Sequence, residues 1–282
     1  MVAPVTPGVP HSAIPLSAGN ARVKEARKLA RRPVRAERRL FLADGPKAVE
    51  GALGVPGCSV ELFAAPAAAS QHAELLAQAS GQGVVVTLVD DRAIASLSDS
   101  VTPAGVVALC HFLDVPATDV VGTAADPAGG RLVAVCADVR DPGNAGTVIR
   151  CADAAGADGV VLAGDSVDAY NPKTVRASVG SLFHLPVAIE RDAAGAVRAA
   201  RSAGLTVLAA DGAGERDLFE IDDLLAGPTA WLFGNEAWGL PPELAELADH
   251  RVRTPIHGRA ESLNLATAAA LCLYASARVQ RR

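Results

Sequence analysis

Short apolar runs without polar alternation recur through the second half of this 282-residue chain, at 132–137, 160–162, 205–210 and 229–233. A strand wetted on one face alternates apolar and polar side chains; one buried on both faces need not. These runs therefore predict a parallel sheet covered on both sides. Helical segments are expected at 144–155, 172–179, 193–202, 242–247 and 262–279, with further strands at 185–189 and 251–256. Such an alternation is that of an α/β domain. Half of the residues are apolar but only 4% are aromatic, which fits small-residue helices packed on valine-rich strands.

The first part of the chain repeats the alternation on a smaller scale. Asn20 is placed to cap a helix reaching about residue 32, where Pro33 is expected to stop it. Strands are expected at 39–43, 60–64, 84–89 and 105–112, with helices after Gly45-Pro46, at 71–79 and at 92–97. Residues 113–129 are rich in Pro, Gly, Ala and Thr and read as a linker. The expected organisation is a disordered tail over 1–18, a small α/β domain over 19–113, a linker over 114–129 and a second domain over 130–282.

Charge is unevenly placed. Residues 22–39 hold nine basic side chains against Glu25 and Glu37, so that segment carries +7 and the rest of the chain −12 of a total of −5. A basic stripe on an acidic protein is an electrostatic footprint for phosphates. The bland alternative is a solvated helix face. Five widely spaced cysteines without a C-x-x-C pair indicate neither a disulfide framework nor a zinc site. Cys136 and Cys151 are expected to be small buried hydrophobes, and a reducing cytoplasm is the natural compartment. No secretory signal is visible. The longest apolar stretch, 263–277, is interrupted by Asn264, Thr267 and Ser276 and is shorter than the about 20 residues of a membrane span.

Three polar clusters follow apolar runs, and ligands of open α/β sheets bind outside the carboxyl ends of strands. The first is Arg140-Asp141-Pro142-Gly143-Asn144, with Arg150 further along the same helix. Asn144 can cap that helix, and Arg150 is expected to project toward the same pocket mouth. The second is Phe233-Gly234-Asn235-Glu236-Ala237-Trp238-Gly239-Leu240. Gly234 would let a flat ligand approach the backbone, and Glu236 sets a carboxylate at the strand end. Trp238 favours packing over base stacking. In the third, Thr254-Pro255-Ile256-His257-Gly258 leads to Ser262-Leu263-Asn264, where Ser262 can cap the last helix. None of these spacings is G-x-G-x-x-G, so a dinucleotide-dependent oxidoreductase is disfavoured.

In this order the three clusters resemble the SpoU/TrmH family of the SPOUT superfamily, which methylates ribose 2′-OH groups of RNA with S-adenosylmethionine. Asn171-Pro172-Lys173-Thr174-Val175-Arg176 is similar to the family's segment between its first two motifs. Residues 20–53 are similar to its ribosomal-protein-L30e-like RNA-binding domain. The resemblance implies a deep trefoil knot in a C-terminal α/β-knot domain with a parallel sheet, and a homodimer with the active site at the subunit interface. It implies catalytic or substrate-positioning roles for Asn144, Arg150, Glu236, Ser262 and Asn264. It implies S-adenosylmethionine contacts by Ala209, Gly234, Asn235, Thr254, Ile256 and Leu263. RNA contacts fall to Arg22, Lys24, Arg27, Lys28, Arg31 and Arg32. No metal is needed, because the sulfonium already carries the driving charge. Thr254 stands where the family usually has an aliphatic residue, and Ala237 where it usually has Gly. The implied target is 23S rRNA; transfer RNA, or a non-catalytic role in ribosome assembly, is the alternative.

Overall fold

The computed structural model describes residues 14–122 and 131–281. Residues 1–13 of the expected tail and 123–129 of the expected linker lie outside the described residues. The chain divides into two compact units, one running to Leu113 and taking in Tyr170–Phe183, the other formed by Asp114–Ala169 with the chain from His184 on.

In the first unit four strands form a mixed sheet: β1 (Leu40–Asp44), β2 (Ser59–Ala64), β3 (Val85–Leu88) and β4 (Val106–His111). Their order is β1-β4-β2-β3; β4 runs antiparallel to β1 and β2, and β3 parallel to β2. Leu16, inside the expected tail, bridges to Val89. Asn20 caps the helix Ala21–Arg27 by accepting from the Arg22 N–H at 2.9 Å. Pro33 does not end a helix but opens one, Arg32–Arg38, where its missing N–H costs nothing. The 71–79 helix is two, Pro66–Gln71 and Ala73–Gly81. Tyr170–Phe183 is held by aromatic packing: the Tyr170 ring stacks on Phe112 at 3.8 Å and meets Phe41 at 4.7 Å, while Phe183 stacks on Phe41.

The second unit carries a seven-stranded sheet of β5 (Leu132–Ala137), β6 (Gly159–Ala163), β7 (Val187–Glu190), β8 (Thr206–Ala210), β9 (Arg216–Asp217), β10 (Thr229–Phe233) and β11 (His250–Arg253). The order is β7-β6-β5-β10-β8-β11-β9, and every neighbouring pair is parallel. One face is covered by the helix Ala193–Ser202 through Ala196, Val197 and Ala200. The other is covered by the helices Pro142–Ala155 and Leu265–Gln280, which bury Val148, Ile149, Ala269 and Leu273. Trp231 on β10 is fully buried, and its indole N–H donates to the equally buried Ser276 hydroxyl at 2.9 Å. A short helix, Ala117–Val121, occupies part of the expected linker. Cys136 is buried as expected, whereas Cys151 is only half-buried.

The strand order places the site. From β5 the chain builds outward to β6 and β7, then crosses to the other side of β5 for β8 to β11. β5 and β10 lie at the reversal, paired from Leu132–Thr229 to Cys136–Phe233. The loops that leave their carboxyl ends must therefore meet.

Candidate active site

The loop after β5 begins at Asp138, in the left-handed region at φ 56°, which Asp tolerates better than most residues. Its carboxylate accepts from the Asp165 N–H at 2.7 Å, and its carbonyl accepts from the Asn235 amide at 2.6 Å. The helix Pro142–Ala155 is capped by Asp141, not Asn144: the Asp141 carboxylate accepts from the Asn144 N–H at 2.8 Å, and Pro142 takes the first turn. The Asn144 side chain is thereby released for other work.

That work is a directed relay across three segments. The last helix is capped by Asn264, not Ser262; its side-chain oxygen accepts from the N–H groups of Ala266 at 2.9 Å and Thr267 at 3.3 Å. The Asn264 amide must then donate, and it does so to the Asn144 oxygen at 3.1 Å. This orients Asn144, whose own amide donates to Glu236 Oε1 at 3.1 Å. Glu236 also accepts from the backbone N–H groups of Asp141 at 3.1 Å and Arg140 at 3.2 Å. The three bonds that Glu236 accepts favour its ionised form. Desolvation works to raise its pKa, but the bonds from Asn144 and from the backbone prevail and hold it below the ordinary value.

The helices Pro142–Ala155 and Leu265–Gln280 run parallel: Asn264 lies beside Asn144 at one end, and the Tyr274 hydroxyl reaches the Ala154 carbonyl at the other. Their positive ends converge on Glu236, which offsets the repulsion between aligned dipoles.

Beside the relay lies a cleft of about 890 Å³ at the carboxyl ends of β8, β10 and β11, within the size range of small-ligand sites. Gly234, Asn235, Glu236, Thr254, Ile256, Ser262, Leu263 and Asn264 all line it. Ile256 and Leu263 are more than a third exposed, an apolar surface without a core partner. Among the described residues, no backbone hydrogen bond ties 256–263, so their N–H and C=O groups can face a ligand. Thr254 lies within hydrogen-bonding reach of the Cys272 thiol, which burial pushes up to about 12 and this contact lowers. A polar side chain is thus accommodated there.

One residue expected to line the cleft, Ala209, does not reach it. Ala209 is fully buried among core side chains, and its neighbour Ala210 faces the cleft. Gly234 is required by its own loop: a Cβ there would stand 2.6 Å from the Leu240 nitrogen and closer still to the Gly239 carbonyl. The Asn235 side chain is committed to the Asp138 carbonyl and the Ala237 N–H. Arg150 is exposed and does not line the cleft. Arg140, which sequence reasoning did not single out, sets its guanidinium 5.6 Å from the Trp238 ring centroid, and Trp238 is 58% exposed.

The basic stripe is divided in use. Arg35 is buried and caps the Leu29 and Ala30 carbonyls. Arg22 pairs with Glu61 at 2.9 Å; Lys28 and Arg38 pair with Glu25, and hold its carboxyl below the ordinary value. Among the described residues Lys24, Arg27, Arg31 and Arg32 have no acidic partner. Also among these residues, no helix is long and apolar enough to cross a membrane, and no group of His, Cys, Asp or Glu is arranged to hold a metal ion.

Comparison with known proteins agrees with this geometry. Residues 20–108 match the MRM3-like substrate binding domain. The chain is 33% identical over 261 residues to the 23S rRNA (guanosine(2553)-2′-O)-methyltransferase RlmP of Bacillus subtilis, covering 92% of this chain and 96% of that one. An AdoMet-bound rRNA methyltransferase from Sinorhizobium meliloti superposes with a TM-score of 0.81 at 36% identity, covering 93% of this chain and 96% of that one. The SpoU methyltransferase AviRb from Streptomyces viridochromogenes, in complex with AdoMet, gives 0.79 at 30% identity, with coverage of 92% and 98%. Residues 131–274 match the SpoU rRNA Methylase family, and the chain belongs to that family.

Proposed function

We propose that this protein transfers a methyl group from S-adenosylmethionine to a ribose 2′-OH of ribosomal RNA, in 23S rRNA, the RNA named for its relative RlmP. The observation that carries the reading is the Glu236–Asn144–Asn264 relay, whose two outer members line the cleft. The cleft suits the cofactor. Its unbonded loop backbone at 256–263 can take the adenine and ribose polar edges, and Ile256 and Leu263 can cover the flat faces. S-adenosylmethionine held there supplies an electrophilic methyl group, and no metal is required.

The chain's own residues do the rest by positioning. With its pKa held low, Glu236 is a weak base and serves to lock the three loops. Asn144 and Asn264 are held in one amide orientation each. Ser262, exposed on the cleft and free of capping duty, is placed to meet the ribose. Arg150 presents only N–H donors, in a planar fork, and is therefore suited to bind the phosphate beside the target ribose rather than to abstract its proton. Because Arg150 lies outside the cleft of its own subunit, the reading includes a homodimer in which it serves the partner's site. The deep trefoil knot, the S-adenosylmethionine contacts of Gly234, Thr254, Ile256 and Leu263, and a cytoplasmic location belong to the same proposal. Residues 19–113 would grip folded RNA through phosphate and 2′-OH contacts, with the unpaired Lys24, Arg27, Arg31 and Arg32 as the leading cations.

Ribose-methylation mapping by mass spectrometry, on total RNA from a deletion strain and its parent, tests the activity. One 2′-O-methyl group should vanish, and loss from no RNA would refute the reading. Arg150→Ala should abolish transfer while leaving S-adenosylmethionine affinity, measured by calorimetry, within about twofold of wild type. Equal loss of both would remove its assigned role.

A further inference from the structure

We propose that Trp238 and Arg140 form a stacking platform for an unpaired base of the RNA substrate, beside the nucleotide whose ribose enters the cleft. This inference rests on the RNA 2′-O-methyltransferase reading and adds a recognition subsite to it.

The chain has two tryptophans. Trp231 is fully buried, whereas Trp238 is 58% exposed. A large ring left in water could reflect a floppy loop, but this loop is fixed. Asn235 and Gly239 exchange two backbone hydrogen bonds of 2.9 Å. The Asn235 side chain ties the turn to the Asp138 carbonyl at 2.6 Å and accepts from the Ala237 N–H at 2.8 Å. Trp238 sits at the outer tip of this rigid turn, between Ala237 and Gly239, which both line the cleft.

Arg140 supplies the second half. Its guanidinium lies 5.6 Å from the indole centroid and also meets the Asp165 carboxylate at 3.4 Å. Its backbone N–H donates to Glu236 Oε2. Both members of the pair are thus anchored to the relay residue Glu236, one through the chain two positions on and the other through a hydrogen bond. A fixed, exposed indole flanked by a cation is the chemistry that receives a nucleobase. Every base presents a π-face to the ring, and the guanidinium adds a cation–π contact and a charge for the neighbouring phosphate. Single-stranded or splayed nucleotides offer that face; paired ones do not.

The two tryptophans make the test direct, since acrylamide quenches an exposed indole and spares a buried one. The probes are a single-stranded adenylate pentamer and an abasic pentamer with the same phosphates. The adenylate pentamer should shield Trp238 saturably, and the abasic one should not. Trp238→Ala should weaken pentamer binding roughly ten- to hundredfold and raise KM for RNA, with kcat and S-adenosylmethionine affinity little changed. Trp238→Phe should restore most of the loss. Equal shielding by the abasic pentamer would overturn the platform, as would unaltered KM in Trp238→Ala. So would an indole already shielded in RNA-free protein, the result expected if a second copy of the chain covers it. A wild-type protein that methylates no RNA yet shows base-dependent shielding would keep the platform and remove the methyltransferase reading. Methylation by Trp238→Ala with both kcat and KM for RNA unaltered would do the reverse.

Discussion

Replacing Asn264 with aspartate or with alanine separates the two tasks of its amide. The oxygen caps the last helix through Ala266 and Thr267, and the nitrogen donates to Asn144. Alanine removes both. Loss of an N-cap costs about 1 kcal/mol, and loss of one net side-chain hydrogen bond about another 1 kcal/mol, so Asn264→Ala should lose about 2 kcal/mol. Aspartate keeps the cap and gains roughly 0.3–1 kcal/mol from its charge at a helix N-terminus. It cannot donate, so Asn144 would face a carboxylate on each side and turn its oxygen toward one of them, at a cost of about 1 kcal/mol. These changes nearly cancel, so Asn264→Asp should be close to wild type in stability and strongly impaired in methyl transfer. Urea unfolding followed by tryptophan fluorescence is the assay, because Trp231 and Trp238 both lie in the second unit. Equal destabilisation by the two variants would refute the cap, and full activity in Asn264→Asp would refute the relay. A double-mutant cycle with Asn144→Ala should give a coupling of about 1 kcal/mol, since the pair is in direct contact.

Three further outcomes are expected. Gly234→Ala forces a methyl group against the backbone of Gly239 and Leu240, so it should cost about 1–3 kcal/mol and weaken S-adenosylmethionine binding in calorimetry. Ser276→Ala leaves the buried Trp231 N–H without an acceptor and should cost about 1–3 kcal/mol in urea titrations, despite its small change in volume. Glu236 has a folded pKa below its ordinary 4.5, so the unfolded chain binds its proton more tightly. Its stabilisation is full above pH 4.5 and is lost as pH falls through the folded value. The stability gap between wild type and Glu236→Gln should therefore narrow below pH 4.5, and a pH-independent gap would contradict the ionised relay.

The strands were the most legible part, for a physical reason. The runs 132–137 and 229–233 lie at the centre of the sheet, where both faces are covered, so all of their residues but Thr229, whose hydroxyl donates to the Gly227 carbonyl, are apolar, and the run ends where the strand does. Helix ends were less legible because several residues near each start can cap. Asp141 competes with Asn144, and Asn264 with Ser262, and only tertiary packing shows which side chain is wanted elsewhere. The same limit applies to Ala209 and Ala210, adjacent small residues whose inward or outward facing depends on register. The aromatic grouping of Phe41, Phe112, Tyr170 and Phe183 joins residues far apart in sequence and has no local signature.

Arg150 shows where spacing and geometry part. It follows Asn144 by six residues on one helix, which at about 100° per residue leaves the two side chains about 120° apart and about 9 Å apart along the axis. Asn144 faces Glu236 and Asn264, so Arg150 cannot face the same cleft wall, and it is exposed instead. The proposed function has the two residues serve one reaction, whereas within this subunit Arg150 stands outside the cleft that the Asn144 relay borders. A second subunit that sets its cleft against the exposed side of the Pro142–Ala155 helix would reconcile the motif with the helix. In that arrangement mixing Arg150→Ala with Asn264→Asp should recover activity that neither variant has alone, because some mixed dimers keep one intact site. No recovery on mixing would place Arg150 and the relay in the same subunit's chemistry and would remove the reason for the dimer.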